Sequence, residues 1–100
     1  MNISKENIDK IKQLCDESDV KSFSAFGSVT RKDFKDDSDI DFLVDFKETD
    51  PFIYTDLYFQ FKKNLENLLN RQIDLIEERA IKNQFFKKEL DRTKIKIYEQ

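Results

Sequence analysis

The sequence predicts one α/β domain, of the α+β kind, in which helices cover one face of a β-sheet. Three observations carry that expectation. Apolar residues recur at intervals of three and four in some stretches and at alternate positions in others. These stretches follow one another in the order α-β-β-α-β-α-β, the mixture from which layered sheet-and-helix domains are built. At 100 residues the chain has the length of one ordinary domain, so residues 1–100 are read as a single unit.

Residues 5–17 open the chain as a helix, with Ile8, Ile11, Leu14 and Cys15 along one side and Ser4 as N-cap. Val20 to Phe26 reads as a short strand, ended by Gly27, the only glycine of the chain. That is the one position where the backbone takes a positive φ freely or lets another group come close. Ser28 to about Lys32 suits a short helical turn, Lys35 to Ser38 a polar loop, and Asp39 to Phe46 a second strand. Asp50-Pro51 heads a long helix from about Ile53 to Leu69, striped by Leu57, Phe61, Leu65 and Leu68. After the Asn70-Arg71 turn come a strand, Gln72 to Glu77, a helix, Asn83 to Leu90, and a last strand, Lys94 to Tyr98.

Leu, Ile, Val and Phe make up 31 of the 100 residues, enough for a modest core that ten Phe and three Tyr render aromatic. A net charge of −3, from 18 basic and 21 acidic residues, argues against a general nucleic-acid binder, so no direct nucleic-acid binding is expected. No apolar run reaches membrane-spanning length and the N-terminus carries no apolar leader, so the expected location is cytoplasmic, with no membrane partner. Histidine is absent and Cys15 is the lone cysteine. Imidazole bases, Cys/His zinc sites and internal disulfides are thereby excluded. Chemistry here must use carboxylates, hydroxyls, Lys, Arg or a hard cation, and Cys15 reads as a small buried filler.

The second strand poses the functional question. Alternate residues on a strand share a face and lie about 6.6 Å apart. Ile40, Phe42 and Val44 form the core-facing set, which leaves Asp39 and Asp41 together on the other side, where like charges cost stability. A solvated acidic sheet edge is the plain reading. A calcium loop through Asp37, Asp39, Asp41 and Glu48 fails at Phe42, where such a loop needs glycine. The third reading is a magnesium site for phosphoryl or nucleotidyl transfer, two carboxylates bridging two Mg²⁺ ions about 3.5–4 Å apart. Asp74 supplies a third acid if its strand pairs beside the second, since Ile73 and Leu75 take the core side. It can then orient or deprotonate an attacking hydroxyl. Gly27 and Ser28 offer amide and hydroxyl donors to a phosphate, and Arg31, one turn on, a planar fork for its oxygens.

Gly27-Ser28, two residues, Arg31, six residues and then Ser38-Asp39-Ile40-Asp41 resembles the signature of the nucleotidyltransferase fold of the DNA polymerase beta superfamily. In particular it is similar to the minimal nucleotidyltransferases, single small domains of about this length, and "QIDLIE" and the final helix and strand match the family's later elements. The resemblance implies a mixed, mostly antiparallel sheet of about four strands. It also implies Asp39, Asp41 and Asp74 as catalytic metal ligands, and Gly27, Ser28, Arg31 and Ser38 as nucleotide-binding residues. Two Mg²⁺ ions are the implied cofactor and ATP the substrate. Such proteins are commonly antitoxins that transfer AMP to a tyrosine of a HEPN-type ribonuclease toxin, the implied partner here, while a homo-oligomer stays open.

Two positions depart from the family: Thr30 stands where alanine is common, and Lys32 where glycine is frequent. Besides protein adenylylation, two other functions fit. One is a binding antitoxin that neutralises its partner by contact through the exposed members of Phe52, Tyr54, Tyr58, Phe59, Phe85 and Phe86, which cannot all sit on core faces of their helices. The other is adenylylation of a small molecule, for which the chain has little spare length to shape a pocket.

Overall fold

Side-chain caps set where the helices begin. Ser4 Oγ accepts the Asn7 amide at the start of α1 (Lys5–Glu17). Asp50 Oδ1 accepts the amides of Phe52 and Ile53 ahead of α2 (Pro51–Leu69), whose proline occupies the first helical position, where no N–H is needed. The cap and proline start α2 at Pro51, two residues before the expected Ile53. Asn70, left-handed at φ 52°, stops it. Asn83 Oδ1 accepts the Phe86 amide to open α3 (Gln84–Thr93), which runs past Leu90 as Thr93 Oγ1 bonds back to the Glu89 carbonyl.

The computed structural model describes all residues 1–100, and in it four strands form one sheet. They are β1 (Val20–Phe26), β2 (Ile40–Phe46), β3 (Ile73–Glu77) and β4 (Ile95–Glu99), in spatial order β3-β2-β1-β4. β1 runs antiparallel to both β2 and β4, while β2 and β3 are parallel. The parallel pair follows from connectivity, since the 19 residues of α2 return the chain to the starting end of the sheet. Two 3₁₀ turns, Gly27–Thr30 and Glu78–Ala80, follow β1 and β3.

One sheet face is apolar and holds the core. Phe23 and Phe42 stack with centroids 4.6 Å apart, and the Phe61 ring of α2 meets Phe23 and Phe46 edge-on at 5.4 and 5.7 Å. Ile11 and Cys15 of α1 and Leu65 of α2 close the layer, all fully buried. Removing each such phenyl ring from water contributes about 1.5–3 kcal/mol. Leu57 and Leu68 of the expected stripe pack at its margin, and Tyr54 joins it.

α1 and α2 take the face expected of the helices. α3 stands by the other face, because β3 and β4 are opposite edges and the chain between them must cross a sheet whose core side is filled. It buries only Leu90 and borders clefts floored by Phe26 on one side and by Ser24 and Leu43 on the other. No helix is long and apolar enough to cross a membrane.

Candidate active site

The polar sheet face carries the acids. Asp41 of β2 and Asp74 of β3 are direct register partners, both turned from the core that takes Ile40, Phe42, Ile73 and Leu75. Asp39 lies just before β2, exposed, rather than inside the strand. Burial pushes the Asp41 carboxyl above the ordinary aspartate value; Asp74 and then Asp39 add to the push, and Arg31 opposes it. The three acids are electrostatic neighbours, yet no three carboxylates of the chain draw tightly enough together to form a preassembled metal cluster. Asp45, also on this face, is claimed by Arg79, whose Nε and Nη2 both reach its Oδ1 at 3.1 Å. Its place is structural, since Arg79 also bonds the Phe46 and Glu48 carbonyls and covers the Tyr54 ring at 3.9 Å.

Gly27 brings the turn after β1 against these acids. It holds φ +72°, and a β-carbon there would stand 2.5 Å from Asp41 Oδ2. Glycine is thus required both by the backbone and by the carboxylate beside it. Thr30 Oγ1 donates to the Gly27 carbonyl at 2.7 Å, and the Arg31 amide bonds the Ser28 carbonyl at 2.9 Å. This gives Thr30, one of the two departures from the family pattern, a local role. Val29, fully buried, anchors the turn from below.

Of the other expected site residues, Arg31 flanks Gly27 in a cleft and is held by Asp33 at 3.1 Å. Ser38 works as turn chemistry: its Oγ accepts the Lys35 amide, and its carbonyl accepts from Arg71 Nη1 at 2.8 Å.

Three residues that support this site, Arg71, Asn2 and Tyr58, have no site role in the sequence pattern. On sequence Arg71 reads only as part of a turn. It bonds the Lys35 and Ser38 carbonyls and stacks on Phe34 at 4.4 Å, which fastens the loop delivering Asp39 to the start of β3. Its one sequence signal is its place two residues before the strand that carries Asp74. Asn2 ties the N-terminus to the glycine turn through the Val29 and Arg31 carbonyls. Tyr58 Oη donates to the Leu75 carbonyl at 2.6 Å and fixes α2 to the β3 edge; burial, then Glu77 and Asp74, raise its phenol above the usual value.

Chemically the arrangement offers carboxylate oxygens suited to a hard cation, beside a tight turn whose amides suit phosphate oxygens. The family model described as Polymerase beta, Nucleotidyltransferase matches residues 9–100. A Methanocaldococcus jannaschii protein, provisionally named a protein adenylyltransferase, is 36% identical over 94 residues, covering 93% of each chain. Protein adenylyltransferase MntA of Thermococcus cleftensis is 33% identical over 72 residues, 72% of this chain and 70% of that one. In the solved structure of a tri-AMPylated Shewanella oneidensis HEPN toxin in complex with MNT antitoxin, one chain superposes with TM-score 0.68 at 17% identity, covering 98% of this chain and 74% of that one.

Proposed function

Because the chain belongs to the polymerase beta nucleotidyltransferase family, we propose that it transfers AMP from ATP to a tyrosine hydroxyl of a HEPN-type toxin and so acts as that toxin's antitoxin. The observation that carries this reading is the Asp41–Asp74 pair set against the Gly27 turn. The names of the adenylyltransferase relatives support ATP as donor. The complex of an AMPylated toxin with its antitoxin supports a protein acceptor.

The donor set fits Mg²⁺: Asp39, Asp41 and Asp74 offer only carboxylate oxygens, and the crowding that raises Asp41 is relieved by a cation. Bound to these three, Mg²⁺ would neutralise the triphosphate and the departing pyrophosphate. The chain's own groups do the rest. Amides of the Gly27 turn and the Ser28 hydroxyl hold the triphosphate tail, and Arg31, released from Asp33, adds charge beside them. Asp74, exposed at the sheet edge, takes the acceptor's phenolic proton as that oxygen attacks the α-phosphorus. The bond between the α-phosphorus and the oxygen bridging to the β-phosphate breaks, and pyrophosphate leaves with the electron pair.

The test is incubation with labelled ATP, Mg²⁺ and the HEPN-type partner. Label on a partner tyrosine, lost in the Asp39→Asn, Asp41→Asn double variant, is expected; no label on the partner with the wild-type chain overturns the proposal. A second reading, neutralisation by contact alone, draws on Phe52, Phe59 and Phe85, which are 85%, 62% and 89% exposed. It requires the double variant to protect as well as wild type does.

A further inference from the structure

Beside the glycine turn, between it and α3, lies a cleft of about 450 Å³. Gly27, Thr30 and Arg31 form one wall, and Phe86, Glu89 and Thr93 of α3 the other. Phe26, register partner of Asp41, and buried Leu90 supply further apolar lining. The cleft therefore begins at the residues given to the triphosphate and continues onto two phenyl rings. We propose that this cleft is the nucleobase pocket of the enzyme, with the base stacked on Phe86. The inference rests on the functional reading above and deepens it by naming what holds the other end of the nucleotide.

Four features argue for a base here. The volume falls within the range of small-ligand sites. Phe86 is 42% exposed although its amide, bonded to Asn83 Oδ1 at 3.0 Å, holds its backbone in place at the helix start. A ring left half bare beside a phosphate-binding turn is a stacking platform, and flat heteroaromatic bases use such platforms regardless of their edge pattern. The Glu89 carboxylate, held by Arg92, stands at the rim as an acceptor for amino groups of a base edge. The cleft on the other side of α3, about 430 Å³, has Leu43 as its one apolar lining residue against four lysines, Arg79 and three acids, and so offers no ring to stack on. The cleft near Leu14 and Asn64 lies between α1 and α2, away from the glycine turn.

Because α3 attaches through a single buried leucine, this wall can adjust to its occupant. Stacking of this kind acts on ground and transition states alike, so it lowers KM for the nucleotide and leaves kcat unchanged.

The experiment is titration calorimetry of the intact chain with Mg²⁺-ATP and with Mg²⁺-tripolyphosphate, which keeps the charged tail and lacks the base. Phe86→Ala is expected to weaken ATP about tenfold and to leave tripolyphosphate unchanged, while Phe86→Tyr keeps ATP affinity. Ser28→Ala is expected to weaken both probes. Equal loss of both probes in Phe86→Ala, or no loss of ATP, overturns the pocket. So does wild-type protein that binds tripolyphosphate as tightly as ATP, although the functional reading then stands. Wild-type protein that binds neither overturns both. Phe86→Ala with intact ATP affinity but no transfer to the partner protein would place the acceptor tyrosine in the cleft instead.

Discussion

Gly27 lies so close to Asp41 that the two share one packing position: a β-carbon on the glycine would intrude to 2.5 Å from Asp41 Oδ2. The turn proposed to meet phosphate and the acid proposed to meet the cation are thereby set side by side with no side chain between them. Gly27→Ala must shift the carboxylate or reverse a backbone held at φ +72°. The expected result is loss of about 1–2 kcal/mol in denaturant unfolding. AMP transfer should fall about a hundredfold, read on samples shown to be folded.

Asp41 faces Asp74 across the parallel pair, and burial with two like charges raises its carboxyl. In the absence of cation, its ionised form at neutral pH therefore opposes folding. Asp41→Asn removes that repulsion and should raise the unfolding free energy by a few tenths to about 1 kcal/mol, the scale of a like-charge cross-strand pair. The same variant should lose transfer entirely. Thermal melts without added metal, set beside a label-transfer assay, check both; a variant less stable than wild type would contradict this account.

Arg71 pairs with none of Asp39, Asp41 and Asp74; beyond a 3.9 Å contact with exposed Asp36 it fastens the loop ahead of Asp39 through the Lys35 and Ser38 carbonyls. Arg71→Ala should lower kcat about tenfold at near-constant KM for ATP, because the loop then holds Asp39 in several positions. Arg71→Lys should not rescue, since one ammonium cannot reach two carbonyls and stack on Phe34 at once. A change in KM alone would assign Arg71 to binding instead.

Cys15 is fully buried on the core side of α1, and that burial pushes its thiol up to about 12. A thiol raised on folding contributes stability that is present below its unfolded pKa, about 8.5, and lost as pH climbs toward 12. Buried Tyr54, also raised, acts in the same direction. Melting temperature should fall between about pH 9 and 12, and less steeply in Cys15→Ala once its cavity cost is subtracted. Alkylation by iodoacetamide at pH 8 should reach Cys15 only in denaturant.

Much of this architecture can be read from local pattern. Period-two apolar runs and the caps at Ser4, Asp50 and Asn83 set the strands and helix starts because those signals act within a few residues. The lone glycine beside serine, and the spacing to Asp39 and Asp41, marked the polar end of the sheet for the same reason. Thr30 and Ser38 show the limit of motif reading: both hydroxyls close turns of their own, a role that only the folded backbone reveals.

The sequence by itself determined which residues alternate, where helices start and which acids are left without a core role, since each depends on neighbours a few positions away. Only the tertiary structure decided that β3 lies parallel beside β2, which puts Asp74 against Asp41 across 33 residues of chain. It alone decided that Arg79 removes Asp45 from the acidic face, that Arg71 holds the loop before Asp39, and that α3 walls a cleft next to Gly27. Strand order, and with it every contact between distant segments, is set by how helices fill one sheet face and force the chain across the other. No local spacing encodes that choice.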